Sequence, residues 1–256
     1  KLLLSNGIAK DARNRASLTA LMIAADEGNR EVVDILLEYG AIVDIRMDDG
    51  KTALMMSRNA DVASPLIKHG ANIDDVDGEF RTAIMHASEN GRNDVISLLI
   101  YHGVNVNVQD EQGRTALIHS MLHGHNETTL LLLEKGSNAD LQDKNGNFPL
   151  MLSIAPSMNE IMKSILSMDV DVNRKDHQGR TALMKASQVL EIKTSSFYAV
   201  DLITNKGADV NAQDNMGWTA LMHACTPPSW NFFSPLDSEV KRSEKKRIIL
   251  KLLEAG

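Results

Sequence analysis

Aromatic side chains are scarce in this chain. There are ten among 256 residues, 4%, while hydrophobic residues together make up 43%. Any core must therefore be built from Leu, Ile, Val, Ala and Met. Cysteine is reduced to Cys225 alone, which excludes an intrachain disulfide framework and suits a reducing compartment. No apolar run approaches the roughly 18 residues of a membrane span, so no membrane insertion is expected. Positive charge is not in excess either. The formal net charge is −7, which argues against nucleic acid as a partner, because phosphate backbones select basic surfaces. No leader pattern precedes the first residues, and the expected location is cytoplasmic or nuclear.

What is present is repetition. A "TALM"-like run begins at Thr19, Thr52, Thr82, Thr115, Thr181 and Thr219, and "FPLM" at Phe148 fills the remaining place; the intervals are 33, 30, 33, 33, 33 and 38. A short apolar run ending in glycine follows each one, as in "LLEYG", "LIYHG" and "LLEKG", with Asp169 at the glycine position in "ILSMD". Each unit has a physical reading. "D-x-x-G-x-T" is a tight turn in which Asp bonds nearby backbone, Gly accepts positive φ and Thr caps the following helix. "ALMxA" is a short inner helix whose small residues permit close stacking. The "VVxLL" type of stretch is an outer helix with apolar residues at i, i+3 and i+4, closed by a left-handed glycine cap. One unit cannot bury its apolar face alone, so neighbours complete the core.

"DEQGRTALIHS…LLLLEKGSNADLQD", from Asp110, carries the whole pattern. It resembles the ankyrin repeat, and the resemblance extends over essentially all 256 residues. It implies an all-α solenoid of stacked helix–turn–helix units with hairpin-like fingers. The expected domain is single, with a partial unit at 1–13 and full units at 14–46, 47–76, 77–109, 110–142, 143–175, 176–213 and 214–256. Two departures are systematic: alanine mostly replaces the family's proline, which survives at Pro149, and methionine mostly replaces its histidine. Unit two is three residues short and carries Pro65, so its outer helix is expected to be degenerate. The resemblance implies a protein-interaction module that binds a partner segment along the concave turn and inner-helix face, without cofactor or catalytic residues. The alternatives are a ligand- or nucleotide-sensing ankyrin domain of oligoadenylate-like specificity, and the targeting part of a larger enzyme.

Chemistry-bearing residues divide by the same spacing. "GKT" at Gly50–Thr52 lacks the earlier glycine of a phosphate loop, since position 45 is Ile45. His119 and His123 are spaced for one helix face but have no acid or cysteine ligand nearby, and His86, His119 and His223 share one slot, as structural residues do. No metal is expected. Cys225 stands where other units have Ala25, Ser88 or Ser187, and is expected to be a small buried residue. The position before the threonine reads Leu18, Lys51, Arg81, Arg114, Asn147, Arg180 and Trp218. Its cations suggest a stripe for an acidic or extended segment. Trp218, with Trp230, Phe232 and Phe233 in a nearby insertion, places four of the ten aromatics within sixteen residues. The partner-binding candidates are therefore Lys51, Arg81, Arg114, Arg180, Trp218, Trp230, Phe232 and Phe233. The aromatic insertion can equally fold back as a cap on the last core. "KRSEKKR", Lys241–Arg247, is expected to be the solvated face of the last outer helix. Asn107, Asn173 and Asn211 resemble asparagines that are hydroxylated in ankyrin arrays; the bland alternative is a turn role. The chain is expected to be monomeric by itself.

Overall fold

The computed structural model describes residues 9–188, 196–226 and 235–256, with side chains from 242 onward in the last segment. Among these residues there are fourteen α-helices, one 3₁₀ turn and no strand. They group as seven inner–outer pairs: α1 (Ala20–Glu27) with α2 (Arg30–Glu38), α3 (Ala53–Met56) with α4 (Ala60–Lys68), α5 (Ala83–Glu89) with α6 (Asn93–Tyr101), α7 (Ala116–Leu122) with α8 (Asn126–Glu134), α9 (Pro149–Leu152) with α10 (Asn159–Ser167), α11 (Ala182–Ser187) with α12 (Ser196–Asn205), and α13 (Ala220–Cys225) with α14 (Pro235–Ala255). The chain forms two compact units, Lys1–Ser137 and Asn138–Gly256. In the first, inner helices pack in the order α1, α3, α5, α7 and outer helices in the order α2, α4, α6, α8; in the second, α9, α11, α13 and α10, α12, α14 do the same. This is the all-α solenoid that the repeat spacing implies.

The "TALM" run has a local cause. Thr19 and Thr181 cap their helices by accepting the N–H of Met22 and Met184, both at 3.3 Å. The methionine sulfur returns the contact: Sδ of Met22, Met85 and Met184 accepts the cap residue's own N–H at 3.4, 3.5 and 3.4 Å. Sulfur thus does the work that Glu or Gln does in an ordinary capping box, without placing a charge in the core. The side chains themselves fill the space between neighbouring inner helices, where Met22, Met55, Met85, Ile118, Met151 and Met184 are at most 4% exposed.

Unit two corrects one expectation. Its outer helix α4 is not degenerate: it has nine residues, as α2, α6 and α8 do. Asn59 starts it by accepting the N–H of Val62 at 3.2 Å. Pro65 sits inside the helix and leaves the Asp61 carbonyl without its i+4 donor. The Arg30 guanidinium, reaching over from α2, supplies one at 3.1 Å. The residues missing from the unit come instead from its inner helix α3, which has only four. Arg92 from the next unit closes that short helix by donating to the carbonyls of Met56 and Ser57 at 3.0 and 2.8 Å.

Candidate functional site

The turn before the inner helix is built on one side chain in every unit but the second, where Met47 holds that position. Asp110 Oδ1 accepts the N–H groups of Gln112 and Arg114, both at 2.8 Å. Asp77, Asp143, Asp176 and Asp214 bond the corresponding N–H groups at 2.8–2.9 Å. Asn14 does so in unit one at 2.9 and 3.0 Å. The backbone then folds on itself, with Asp110 N–H donating to the Arg114 carbonyl at 3.0 Å. Isolated antiparallel bridges, Val76 with Thr82 and Lys175 with Thr181, mark the hairpin-like fingers. Five of the seven turns place glycine at the left-handed position. Ser17 and Phe80 occupy it in the other two, with φ of 62° and 60°. Fingers link to their neighbours through backbone: Gly78 N–H donates to Asp49 O at 2.7 Å, Glu111 to Glu79 at 2.8 Å, and Asn215 to Gln178 at 2.9 Å.

The second carboxylate oxygen of the turn Asp is where the units differ. Asp77 Oδ2 takes both Arg81 Nε at 3.0 Å and His86 Nε2 at 2.9 Å. Asp110 takes His119 at 2.8 Å, and Asp214 takes His223 at 2.9 Å. Asp143 takes Asn147 Nδ2 at 3.0 Å. Asp176 takes Arg180 through Nε and Nη2, both at 2.8 Å. Burial holds His86 and His119 below the ordinary imidazole pKa, and their aspartates offset this only in part. The imidazoles are therefore neutral donors at neutral pH. Burial pushes the Asp77 carboxyl up, but the N–H donors of Arg81 and Glu79 and the His86 bond outweigh it and hold its pKa below the usual value.

These bonds settle where the sequence-derived candidates go. Arg81 is drawn to Asp77, Glu79 and Glu89, Lys51 to Asp49, and Arg180 to Asp176. Arg114 is half-buried. The paired cations brace the fingers, which uses charge that a partner would otherwise meet. His123 Nδ1 bonds the His119 carbonyl and His125 Nε2 the Glu89 carbonyl, each at 2.9 Å. Among the described residues no cluster of three or more His, Cys, Asp or Glu is placed to hold a metal ion. Asn173 and Asn211 are exposed and Asn107 half-buried. The Asn173 side-chain oxygen accepts the Asp209 N–H at 2.8 Å. The charged run of α14 is largely exposed from residue 242 on, with Lys245 turned to the Cys225 and Thr226 carbonyls at 3.1 and 2.9 Å.

The last inner helix differs from the others. Trp218 is 37% exposed and tilts over the His223 ring at 5.4 Å. Met216 beside it is 82% exposed, and Met222, in a slot buried everywhere else, is 50% exposed. Cys225 corrects the expectation of a small buried residue: it is exposed, although Ala25, Ser88 and Ser187 in the same slot are fully buried. In unit one the slot meets the following unit, where Arg58 N–H donates to the Ala25 carbonyl at 3.0 Å. Trp230, Phe232 and Phe233 lie outside the described residues.

Sequence reasoning missed two sets of contacts. The Asp–His pairs were signalled by a fixed spacing of nine residues, Asp77 to His86, Asp110 to His119 and Asp214 to His223. The residue before the asparagine that opens the outer-helix segment also reaches back one unit: Arg58 donates to the Asp26 carbonyl at 3.4 Å, Arg92 to Met56 at 3.0 Å and His125 to Glu89 at 2.9 Å.

Comparison with known proteins agrees with this geometry. Over 97 residues the chain is 35% identical to the transient receptor potential cation channel subfamily A member 1 homolog of Caenorhabditis elegans, a stretch that is 37% of this chain and 8% of that protein. Over 75 residues it is 35% identical to potassium channel AKT1 of Oryza sativa, subspecies indica and japonica, covering 28% of this chain and 8% of theirs. The crystal structure of the ankyrin repeat domain of Bcl-3, described as a unique member of the IkappaB protein family, superposes with a TM-score of 0.69 at 23% identity, covering 89% of this chain and all of that one. The family model for ankyrin repeats in three copies matches residues 1–77, 56–143 and 129–214, and the chain belongs to the ankyrin-repeat family.

Proposed function

We propose that this chain binds a partner protein on the turn-bearing, inner-helix face of its last two units. Ankyrin repeats are generally protein-interaction modules, and the fold is typically non-enzymatic. The observation that carries the reading is the exposed pair of turn residues Met216 and Trp218. A large rigid aromatic buries much area at little entropic cost, which makes it a common interface anchor. The arginines at the same turn position act on orientation and salt sensitivity rather than as the main source of affinity, since their charge is already shared with the fingers.

The test is site-specific cross-linking. A photo-reactive side chain at 218 should capture a partner protein, while one at Glu160, exposed on outer helix α10, should not. Trp218→Ala should weaken capture tenfold or more, with the melting temperature falling by no more than about 4 °C. Equal capture from both positions, or a variant that loses stability and keeps affinity, would remove Trp218 from the interface.

A further inference from the structure

The slot four residues after the helix-capping threonine holds His86, His119 and His223 in units three, four and seven, and each gives its N–H to the turn aspartate. In unit six that slot is Lys185. Its turn aspartate, Asp176, is engaged by other groups: Oδ1 takes two backbone N–H groups and Oδ2 takes Arg180. Lys185 is half-buried on α11, and among the described residues no carboxylate lies within ion-pair distance of its ammonium. Burial depresses its pKa and Arg180 adds to the effect, which the more distant Asp176 charge offsets only in part. A half-buried ammonium without a counter-ion is costly to keep, because it has lost part of its hydration and gained no ion pair.

Its helix is linked to the apolar group described above. Lys185 and His223 occupy the same slot in successive units, and α11 packs against α13. Gln188, three residues after Lys185, donates from Nε2 to His223 Nδ1 at 2.9 Å, and the His223 ring supports Trp218 at 5.4 Å. The only carboxylates in residues 176–188 and 214–226 are Asp176 and Asp214. Both are turned inward, with side chains 3% and 7% exposed. Among the described residues, this pair of units therefore presents an ammonium without an ion-paired acid and an exposed aromatic.

We propose that Lys185 receives an Asp or Glu side chain from a partner segment whose neighbouring large apolar residue docks on Trp218. This rests on the reading that the turn-bearing face of units six and seven is the docking face. It adds a specific acceptor chemistry: a carboxylate close in sequence to an apolar anchor.

Selection of displayed random twelve-residue peptides on the full chain tests both. Peptides enriched on the native protein should carry Asp or Glu within about three positions of a large apolar residue, since such a segment spans ~10 Å when extended. A synthetic enriched peptide, followed by fluorescence polarisation, should bind Lys185→Met at least about tenfold more weakly, as expected for loss of a charge-assisted hydrogen bond. Changing the peptide's acid to its amide should weaken native binding equally and Lys185→Met binding no further. Lys185→Met should melt at or above the native temperature, because a half-buried charge has been removed; Lys185→Gln replaces it should the methionine variant melt lower. Enriched peptides without acids, or unchanged affinity for both variants, would overturn the assignment of Lys185 and leave the docking face standing. Acid-dependent binding that Trp218→Ala does not alter would instead remove the Trp218 reading and keep Lys185. No enrichment on the native protein would overturn both.

Discussion

Removing the carboxylate of Asp110 should unfold unit four locally, and the size of the effect follows from its bonds. Oδ1 accepts two backbone N–H groups at 2.8 Å and Oδ2 accepts His119 Nε2 at 2.8 Å, with both side chains buried. Asp110→Ala leaves three donors without an acceptor. The His119 N–H cannot reach water, and a buried unsatisfied donor costs about 1–3 kcal/mol. The two turn N–H groups lie closer to solvent and recover part of their loss, so the total should be roughly 3 kcal/mol. Asp110→Asn keeps the Oδ1 acceptor and turns an amide toward His119. The imidazole can answer by moving its proton to Nδ1, but that nitrogen is buried without a partner, so a cost of about 1–2 kcal/mol remains. Exposed Asp48 is the control, and its alanine variant should stay within about 0.5 kcal/mol of native. Urea unfolding followed by circular dichroism measures all three. Amide exchange of α7 and α8 locates the change if the array does not unfold as one unit. A loss below about 1 kcal/mol for Asp110→Ala, or equal losses for alanine and asparagine, would refute the account of the turn.

Acid should destabilise the fold in two stages. His86 and His119 have folded pKa values below 6.5, so the unfolded chain takes up protons first and stability, complete above that pH, falls as pH drops below it. Asp77 and Asp214 lie below 3.8 and add a second loss as pH falls further. A urea midpoint independent of pH between 4 and 7 would contradict this, and replacing both histidines with Gln should flatten the upper stage. Phe148 is 1% exposed in a slot where other units have threonine, so Phe148→Ala should cost about 3–5 kcal/mol, measured by urea unfolding. Cys225 should react with maleimide in the native state as fast as in denaturant; protection in the folded protein would contradict its exposure.

The sequence made the repeat legible because the same slot meets the same neighbour in each unit. Thr, Met and the closing glycine recur at fixed spacing since each answers a local demand: a free N–H, a gap between inner helices, a left-handed residue. Contacts that span units were harder to see. Pro65 pointed to a broken helix because the donor that rescues the Asp61 carbonyl is Arg30, thirty-one residues earlier. Cys225 pointed to burial because its slot is buried in other units, as Ala25, Ser88 and Ser187 are. The cationic stripe was legible as composition, but its pairing depended on the geometry of each turn.

That geometry explains how units with one architecture acquire different surfaces. The turn aspartate commits one oxygen to the backbone and has one left to share. The residue before the capping threonine and the residue four after it compete for that oxygen. In unit three Arg81 and His86 share it. In unit seven His223 takes it, and the preceding position is left to Trp218, which stays partly in solvent. In unit six Arg180 takes it, and Lys185 is left without an ion pair among the described residues. A substitution at either position should therefore change the surface twice, once by its own side chain and once by what it releases. In Arg180→Leu the Asp176 oxygen becomes available to Lys185, which should pair with it and weaken binding of an acidic segment, although Lys185 itself is unchanged.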